Sequence, residues 1–255
     1  MELIFDHTFG KQENHDLIVC NPLAFVDNGE EIEALDTGWL ALDKPVMNKE
    51  VFYQSRSTRI NLQNFKPRYQ HHRWQGEDID LKVIDANEMV HLLGLPHIYK
   101  QYMKRKEFKM DYNPFAHYHK RDQFMIFYIG KPNNIIGFTK QKKYTYQEDY
   151  ADIDDIGASD LAALESVIHA NTVPISDITL DLELKWAQDN LIGSYYLGSG
   201  YEKSSEYKAN YKGFEWWTGT EWSKNKRLYR RLCRRDSTLE NFSALGNLSL
   251  ISNKT

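Results

Sequence analysis

Aromatic and basic side chains are interspersed in the segment YYLGSGYEKSSEYKANYKGFEWW, residues 195–217. Tyrosine rings can stack on nucleobases and lysines can pair with phosphates, so this mixture is typical of surfaces that bind nucleic-acid ends. The side chains of these types are Tyr207, Lys208, Tyr211 and Lys212. The alternative is a packed β-hairpin whose lysines extend their charged ends into solvent.

A basic tail, SKNKRLYRRLCRR, follows at residues 223–235. Drawn as an α-helix, it places four arginines on one face: Arg227, Arg230, Arg231 and Arg234. Such a face either binds an anionic partner or is the solvated side of a terminal helix. A second basic run, IYKQYMKRKEF at residues 98–108, is also predicted to be helical.

Three side chains are candidates for accepting the proton of an ammonium group: Glu183, Glu215 and His169. They could equally be surface carboxylates and a hydrogen-bonded core histidine. The pair His71 and His72, and the strand-spaced His117 and His119, lack a clear third ligand, so no metal site is predicted. No cofactor is predicted either.

The composition is that of an ordinary globular protein, with 41% hydrophobic and 27% charged residues and a net charge of −4. The two cysteines, Cys20 and Cys233, are far apart, which excludes a disulfide scaffold or a cysteine-rich metal site. The N-terminal residues do not resemble a signal peptide, and no apolar run approaches the ~20 residues that span a bilayer. We therefore expect a soluble cytoplasmic protein without a membrane partner.

Around these residues, the pattern predicts a hairpin, a strand, a helix and another strand in that order. The runs DQFMIFYIG and IIGFTKQKKY, joined by a Pro/Asn turn, form the hairpin. ALESVIHANTVP is the next strand, ended by Pro174, and SYYLG is the last.

The helix between these two strands is predicted from ISDITLDLELKWAQDN. Its apolar stripe recurs with helical spacing at Ile175, Ile178, Leu182 and Trp186. Ser176 is predicted to cap its start and Gly193 to close it, with Asp181 and Lys185 forming an i,i+4 ion pair on the polar side.

A helix between two strands implies that those strands are parallel neighbours in one mixed sheet. The predicted class is thus α/β (α+β), a GNAT-like acyltransferase fold with a mixed central sheet flanked by helices. A smaller N-terminal α+β region is predicted over 1–110, the transferase domain over 111–240 and a C-terminal tail over 241–255.

The motifs in the second half of the chain resemble the C-terminal signature of arginyl-tRNA–protein transferases and their bacterial leucyl relatives. The matching residues are Trp186-Ala187, Tyr196-Leu197-Gly198, Tyr207-Lys208-Ala209-Asn210-Tyr211, Glu215 and Gly219-Thr220-Glu221-Trp222. FYQSRSTRINLQNFK, residues 52–66, is similar to the basic Ser-Arg-Ser-x-Arg run of the same family.

This resemblance implies an enzyme that moves an amino acid from aminoacyl-tRNA to an amine, namely the N-terminus of a protein or peptide, with no DNA partner. The substrate-binding residues would be Tyr196, Leu197, Gly198, Tyr207, Lys208 and Tyr211. The tRNA-binding residues would be Arg56, Arg59, Lys208, Lys212, Arg227, Arg230, Arg231 and Arg234. In this fold the developing oxyanion is held by backbone N–H groups where two strands separate, near 166–170 and 195–198 here.

Departures from the family leave two other functions open. The family's cysteine cluster is missing, its Ser-Leu-Gly turn reads Pro174-Ile175-Ser176, and Ser199 stands where a tyrosine is usual. A non-catalytic protein that keeps the fold is one alternative. A CoA-dependent acyltransferase is another, although VPISDIT (173–179) has no glycine and places Asp177 where a phosphate would sit.

Overall fold

The protein is described by a computed structural model over residues 2–4, 23–42, 50–86, 88, 94–106, 113–115, 121–145, 159–168, 173–201 and 203–237. Its strands are β1 (Glu2–Ile4), β2 (Leu23–Phe25), β3 (Trp39–Ala41), β4 (Val51–Gln54), β5 (Ser57–Asn61), β6 (Arg73–Trp74), β7 (Glu77–Asp85), β8 (Asp122–Ile129), β9 (Lys131–Thr145), β10 (Ser159–Ile168), β11 (Ile192–Ser199), β12 (Phe214–Trp217) and β13 (Trp222–Ser223). Its α-helices are α1 (Glu31–Asp36), α2 (Leu95–Lys106), α3 (Val173–Asp189) and α4 (Lys226–Asp236), and 3₁₀ turns cover Leu62–Asn64 and Lys203–Asn210.

The central sheet has nine strands in the order β13-β12-β5-β11-β10-β9-β8-β7-β6. Its neighbours are antiparallel except β10 and β11, which run parallel and are joined through α3. The predicted hairpin is β8 and β9, and the predicted crossover helix is α3. The predicted class, a mixed sheet flanked by helices as in acyltransferase-like folds, is therefore confirmed.

The N-terminal part supplies a second sheet, ordered β1-β2-β4-β3, with α1 packed on it. However, β5, β6 and β7 also precede residue 110 and belong to the nine-stranded sheet. The boundary placed at residue 110 thus falls between strands of one continuous sheet, and the three-part division of the chain stays a prediction.

The two faces of the central sheet bury different sets of residues because side chains alternate along a strand. On β8, Met125 and Phe127 pack with α3 and α4, whereas Phe124 and Ile126 pack with α2. On β11, Tyr195 belongs to the α3 side and Tyr196 packs with the four-stranded sheet. We call these the α3 face and the α2 face.

Helix α3 differs from its prediction at both ends. It begins at Val173, so Pro174 lies in its first turn, where a missing N–H costs no hydrogen bond, and Ser176 is not the cap. It ends at Asp189, and Gly193 lies inside β11 instead of closing the helix. The chain reverses direction between α3 and β11 at Leu191, whose φ is 60°.

The predicted ion pair of Asp181 with Lys185 is also wrong. Asp181 is fully buried and accepts hydrogen bonds from the backbone N–H groups of Arg68 and Tyr69 at 2.9–3.1 Å. Lys185 pairs with Asp189 at 2.6 Å. The carboxylate is buried because the neighbouring loop supplies donors, which helical spacing alone cannot show.

The lysine–tyrosine segment is a 3₁₀ turn over Lys203–Asn210, not the arm of a hairpin. The basic tail forms α4 as predicted, and the basic run near residue 100 forms α2. Within the described residues, no helix has the length and apolar character needed to cross a bilayer.

Candidate functional site

The parallel strands β10 and β11 separate near their carboxyl ends. Their last pairs are Leu161 with Tyr195 and Ala162 with Tyr196. Beyond them β10 stays paired with β9 up to Ile168, and β11 stays paired with β5 up to Ser199, with an irregularity after Tyr196. Gly198 has a φ of +77°, and no described atom lies within 4 Å of the place its Cβ would take. Gly198, at the end of the predicted oxyanion segment 195–198, thus borders open space, whereas Tyr195 and Tyr196 are fully buried.

Lys208 fixes the backbone of this segment. Its ammonium donates hydrogen bonds to the carbonyls of Leu197 and Ser199, both at 2.6 Å, and only 6% of the residue is exposed. The Thr58 hydroxyl donates to the intervening Gly198 carbonyl at 2.7 Å. The charge predicted to meet a tRNA phosphate is therefore taken up by the strand that borders the opening.

We expect Lys208→Met to lower the free energy of unfolding by about 2 kcal/mol, because two carbonyls lose a charged donor. The variant should leave the salt dependence of tRNA binding unchanged, since the ammonium faces the protein. Urea denaturation and binding isotherms at several salt concentrations measure the two effects. A lower salt slope would show that Lys208 reaches a phosphate after all.

A buried polar cluster lies on the α3 face. Glu183 of α3 accepts hydrogen bonds from the hydroxyls of Tyr195 on β11 and Thr139 on β9, the latter at 3.4 Å. The Tyr195 hydroxyl also lies 3.0 Å from Oε1 of Gln141. The side-chain nitrogen of Gln141 is buried and has no hydrogen-bond partner among the described residues.

Burial raises the pKa of Glu183 to about 7, and the bonds from Tyr195 and Thr139 oppose part of that rise. Burial, and then the charge of Glu183, raises the pKa of the Tyr195 phenol well above its usual range. A carboxyl group whose pKa lies near neutrality can both accept and return a proton at physiological pH. This property is what a general base for amine attack requires.

Tyr207 lies on the surface of the 3₁₀ turn. It is 42% exposed. Burial raises the pKa of Tyr195 and of Tyr211, and the Tyr207 phenol makes the smallest contribution to each rise. Of the four aromatic and basic residues singled out in this segment, Tyr207 and Lys212 face solvent, whereas Lys208 and Tyr211 are buried. Tyr211 is fully buried, and its hydroxyl donates to the carbonyl of Asp177 at 3.1 Å.

A second cluster lies on the α2 face and collects residues from distant parts of the predicted signature. Arg59 donates through Nε to Glu215 at 2.9 Å and through Nη1 to Asp36 at 2.9 Å. Its guanidinium lies 4.1 Å from the ring of Trp222 and 3.3 Å from the hydroxyl of Tyr196. The cross-strand register places Arg59 between Tyr196 and Glu215.

The structure thus separates the two predicted carboxylates. Glu183 lies on the α3 face and Glu215 on the α2 face, since Tyr195 and Tyr196 point to opposite sides of β11. Glu215 forms an ion pair with Arg59, which also pairs with Asp36. The negative charge of Glu215 is therefore already engaged by a protein group. Of the candidate bases, His169 lies outside the described residues.

Arg56, predicted to contact tRNA, is also buried. Its guanidinium pairs with Asp236 at 2.6 Å and lies 4.7 Å from the ring of Tyr201. Because only 6% of Arg56 and none of Asp236 is exposed, this pair anchors α4 to the segment between β4 and β5.

The basic face of α4 is partly engaged with the 3₁₀ turn. Arg234 makes two 2.7 Å bonds to Glu206, and Arg230 donates to the carbonyl of Ala209 at 3.1 Å. Arg227 and Arg231 are exposed, as is Lys212. We call these three exposed residues, together with the exposed Tyr207 of the adjoining 3₁₀ turn, the α4 patch.

Metal binding finds no support among the described residues, where no cluster of suitable ligands occurs. His72 instead lies 3.1 Å from the buried carboxylate of Asp181. His117 and His119 fall outside the described residues.

The sequence only partly predicts the polar cluster around Glu183, because it does not single out Tyr195, Thr139 and Gln141 as site residues. A signal is present in the predicted strand IIGFTKQKKY, where the polar residues Thr139 and Gln141 stand two positions apart. Polar residues two apart on one strand share a face, so they must meet a polar partner there.

Comparisons with known proteins find solved structures that are distantly similar to this chain. No family model matches the chain, and no curated protein does. L-PGS from Bacillus licheniformis aligns with 68% of this chain and 50% of its own, at 11% identity and a TM-score of 0.41. The C-terminal domain (DUF2156) assigned to a lysylphosphatidylglycerol synthetase of Agrobacterium fabrum aligns with 69% and 53%, at 9% identity and 0.41.

The chain therefore spans about half the length of each of these structures. Since no family model matches, membership of the arginyl-tRNA–protein transferase family remains a prediction from the sequence.

Proposed function

We propose that this protein is an aminoacyl-tRNA-dependent aminoacyltransferase that moves an amino acid from tRNA to an amine, the N-terminus of a cytoplasmic protein or peptide. The observation that carries the proposal is the buried carboxyl group of Glu183, which accepts a hydrogen bond from the Tyr195 hydroxyl and whose pKa burial raises to about 7. This carboxyl group lies next to the strand that carries the proposed oxyanion segment, and the exposed Tyr207 ring would stack on the terminal nucleoside of the tRNA.

The reaction requires little beyond orientation and proton transfer. The amine nitrogen attacks the ester carbonyl carbon, a C–N bond forms, and the C–O bond to the terminal ribose breaks. The proton lost by the ammonium passes through Tyr195 to Glu183, and an equivalent proton goes to the departing ribose oxygen. Backbone N–H groups of 195–198 are proposed to hold the oxyanion.

The proposed roles of the other predicted residues follow from their burial. The α4 patch, together with Arg230 and Arg234 beside it, would contact the tRNA. Lys208, Arg56, Arg59, Tyr196 and Tyr211 are proposed as positioning residues, because protein groups already surround their polar ends. Leu197 and Gly198 would line the substrate opening.

A non-catalytic protein that keeps the fold is the second candidate. The observation that favours it is the burial of the proposed base, since Glu183 is only 3% exposed and Tyr195 is fully buried. In that case the Glu183 cluster would be a structural hydrogen-bond network and the α4 patch a binding surface.

Transfer assays separate these functions. The protein is mixed with a panel of tRNAs, each charged with a labelled amino acid, and with acceptor peptides that differ in their first residue. Separate reactions replace the peptide with phosphatidylglycerol vesicles, or the tRNA with labelled acetyl-CoA. We expect label on a peptide from at least one charged tRNA.

The matched controls are Glu183→Gln, which keeps the shape but cannot accept the proton, and Asp189→Asn, an exposed change on the same helix. The first should reduce the transfer rate at least a hundredfold, as expected for a general base, and the second should not change it. Label on the lipid would show that the acceptor is a hydroxyl group and not an amine. Label transferred from acetyl-CoA would show that the donor is CoA-bound and not tRNA-bound. Specific tRNA binding without any transfer would favour the non-catalytic protein.

A further inference from the structure

Helix α2 presents a basic surface that the proposed site does not use. Its sequence, LPHIYKQYMKRK, contains four cationic residues and no acidic one. Lys100, Lys104 and Arg105 are exposed, together with His97 and Gln101. Because 97, 100, 101 and 104 follow helical spacing, they lie along one face.

The opposite side of α2 is fully occupied by the core. Leu95, Ile98 and Tyr99 are at most 7% exposed and pack on Phe124, Ile126 and Phe138 of the central sheet. This packing fixes the orientation of the helix and holds the lysines outward. They are therefore a rigid feature of the surface.

The charges of Lys100 and Lys104 face solvent without an ion pair among the described residues. The other basic helix differs, since Arg234 of α4 is bound to Glu206 and Arg230 to backbone and side-chain oxygens. Two lysines one helical turn apart, about 6 Å along the axis, present closely spaced charges suited to consecutive anionic groups.

We propose that the exposed face of α2, centred on Lys100 and Lys104, binds the phosphate backbone of the tRNA at a second place, away from its 3′ end. The inference rests on the proposed function for the identity of the RNA. Helix α2 packs over β8 and β9, whereas α4 packs beside β12. In the sheet, β9 and β8 lie four and five positions from β12, or roughly 19–24 Å, so α2 would contact a different part of the RNA.

An RNA backbone fits this surface better than a lipid bilayer does. A helix that binds in the membrane interface must insert its apolar face, and here that face is buried in the core. Among the described residues, the exposed large hydrophobic side chains are Leu191 and Tyr207, neither of which lies on α2.

The test is the double variant Lys100→Gln/Lys104→Gln, measured for equilibrium binding of uncharged tRNA from 50 to 300 mM salt. Each phosphate contact contributes about one to the slope of log affinity against log salt. We expect the slope to fall by about two and the affinity at low salt to fall about tenfold. The matched control is Lys131→Gln/Lys143→Gln, which removes two exposed charges elsewhere and should change neither.

The α4 variant Arg227→Gln/Arg231→Gln separates this inference from the proposed function. If it lowers the slope and the α2 variant does not, the α2 inference is overturned and the proposed function stands. If both lower the slope but no charged tRNA donates its amino acid, the α2 surface stands and the transferase does not. Loss of binding to phosphatidylglycerol vesicles with unchanged tRNA binding, or absence of tRNA binding by the wild type, would overturn the inference.

Discussion

We expect that ionisation of buried Glu183 lowers the free energy of unfolding of the wild type by about 3 kcal/mol at neutral pH. Replacing Glu183 with glutamine should remove this pH-dependent loss of stability. In the unfolded chain this carboxyl has its ordinary pKa of 4.5, whereas burial raises the pKa to about 7 in the folded state. Between these values the folded protein holds a proton that the unfolded chain has released. Wild-type stability due to this group is therefore greatest below pH 4.5 and falls as the pH rises to about 7.

The measurement is urea unfolding of the wild type and Glu183→Gln between pH 4.5 and 8.5. The free energy of the variant relative to the wild type should rise by about 3 kcal/mol across that range and stay level above pH 7.5. Asp189→Asn, whose carboxylate is exposed on the same helix, is the control and should show no comparable trend. A difference that stays constant with pH would mean that Glu183 is ionised normally and is no poised base.

The same ionisation predicts how the rate depends on pH. A base must be unprotonated to act, so kcat/KM of the wild type should rise with pH, reach half its maximum near pH 7 and level off about one unit higher. The step in this profile should disappear in Glu183→Gln. A merely structural Glu183 would change the unfolding free energy without moving the pH profile of the remaining activity.

The elements that the sequence predicts well are those set by local patterns. The β8–β9 hairpin has alternating apolar residues and a turn, and α3 and α4 show helical spacing. These patterns reflect contacts between residues close in the chain. The parallel pairing of β10 with β11 followed from their linking helix, which is again a local feature.

The site depends instead on pairings between distant segments. Strand β5 lies between β11 and β12, so Arg59 meets Glu215, which is 156 residues away in sequence. No periodicity reveals that pairing. Likewise, Glu183 occupies a polar position of a helix and becomes buried only because Tyr195 and Thr139 supply its hydrogen bonds.

Several residues indicated by the family resemblance lie close together in the structure. The resemblance does not distinguish the buried residues from the exposed ones. Arg59, Tyr196 and Glu215 come together in one cluster, and Lys208 contacts the Leu197 carbonyl. Their charges and hydroxyl groups are turned toward the protein. A motif records which residue types occur together, whereas burial decides whether they touch a substrate or hold the backbone that does.

Substitution of Arg56 tests whether a buried residue of the motif contacts the substrate or only stabilises the fold. We expect Arg56→Met to destabilise the protein by about 3–5 kcal/mol, because it leaves the carboxylate of Asp236 buried without its main partner. Asp236 has no exposed surface, and Arg235, whose Nη2 lies 3.2 Å away, compensates only part of the loss. Urea denaturation at neutral pH measures the change.

Two further variants identify the cause of the destabilisation. Arg56→Met/Asp236→Leu replaces both charges with apolar side chains and should recover most of the lost stability, as buried ion pairs replaced together generally do. Arg231→Met makes the same chemical change on the exposed side of α4 and should alter stability by less than about 0.5 kcal/mol. Arg231→Met should instead lower the salt slope of tRNA binding by about one, which the stabilised double variant should not do. The double variant could regain its stability and still bind tRNA with a lower salt slope than the wild type. That result would mean that Arg56 contacts the RNA directly, in addition to pairing with Asp236.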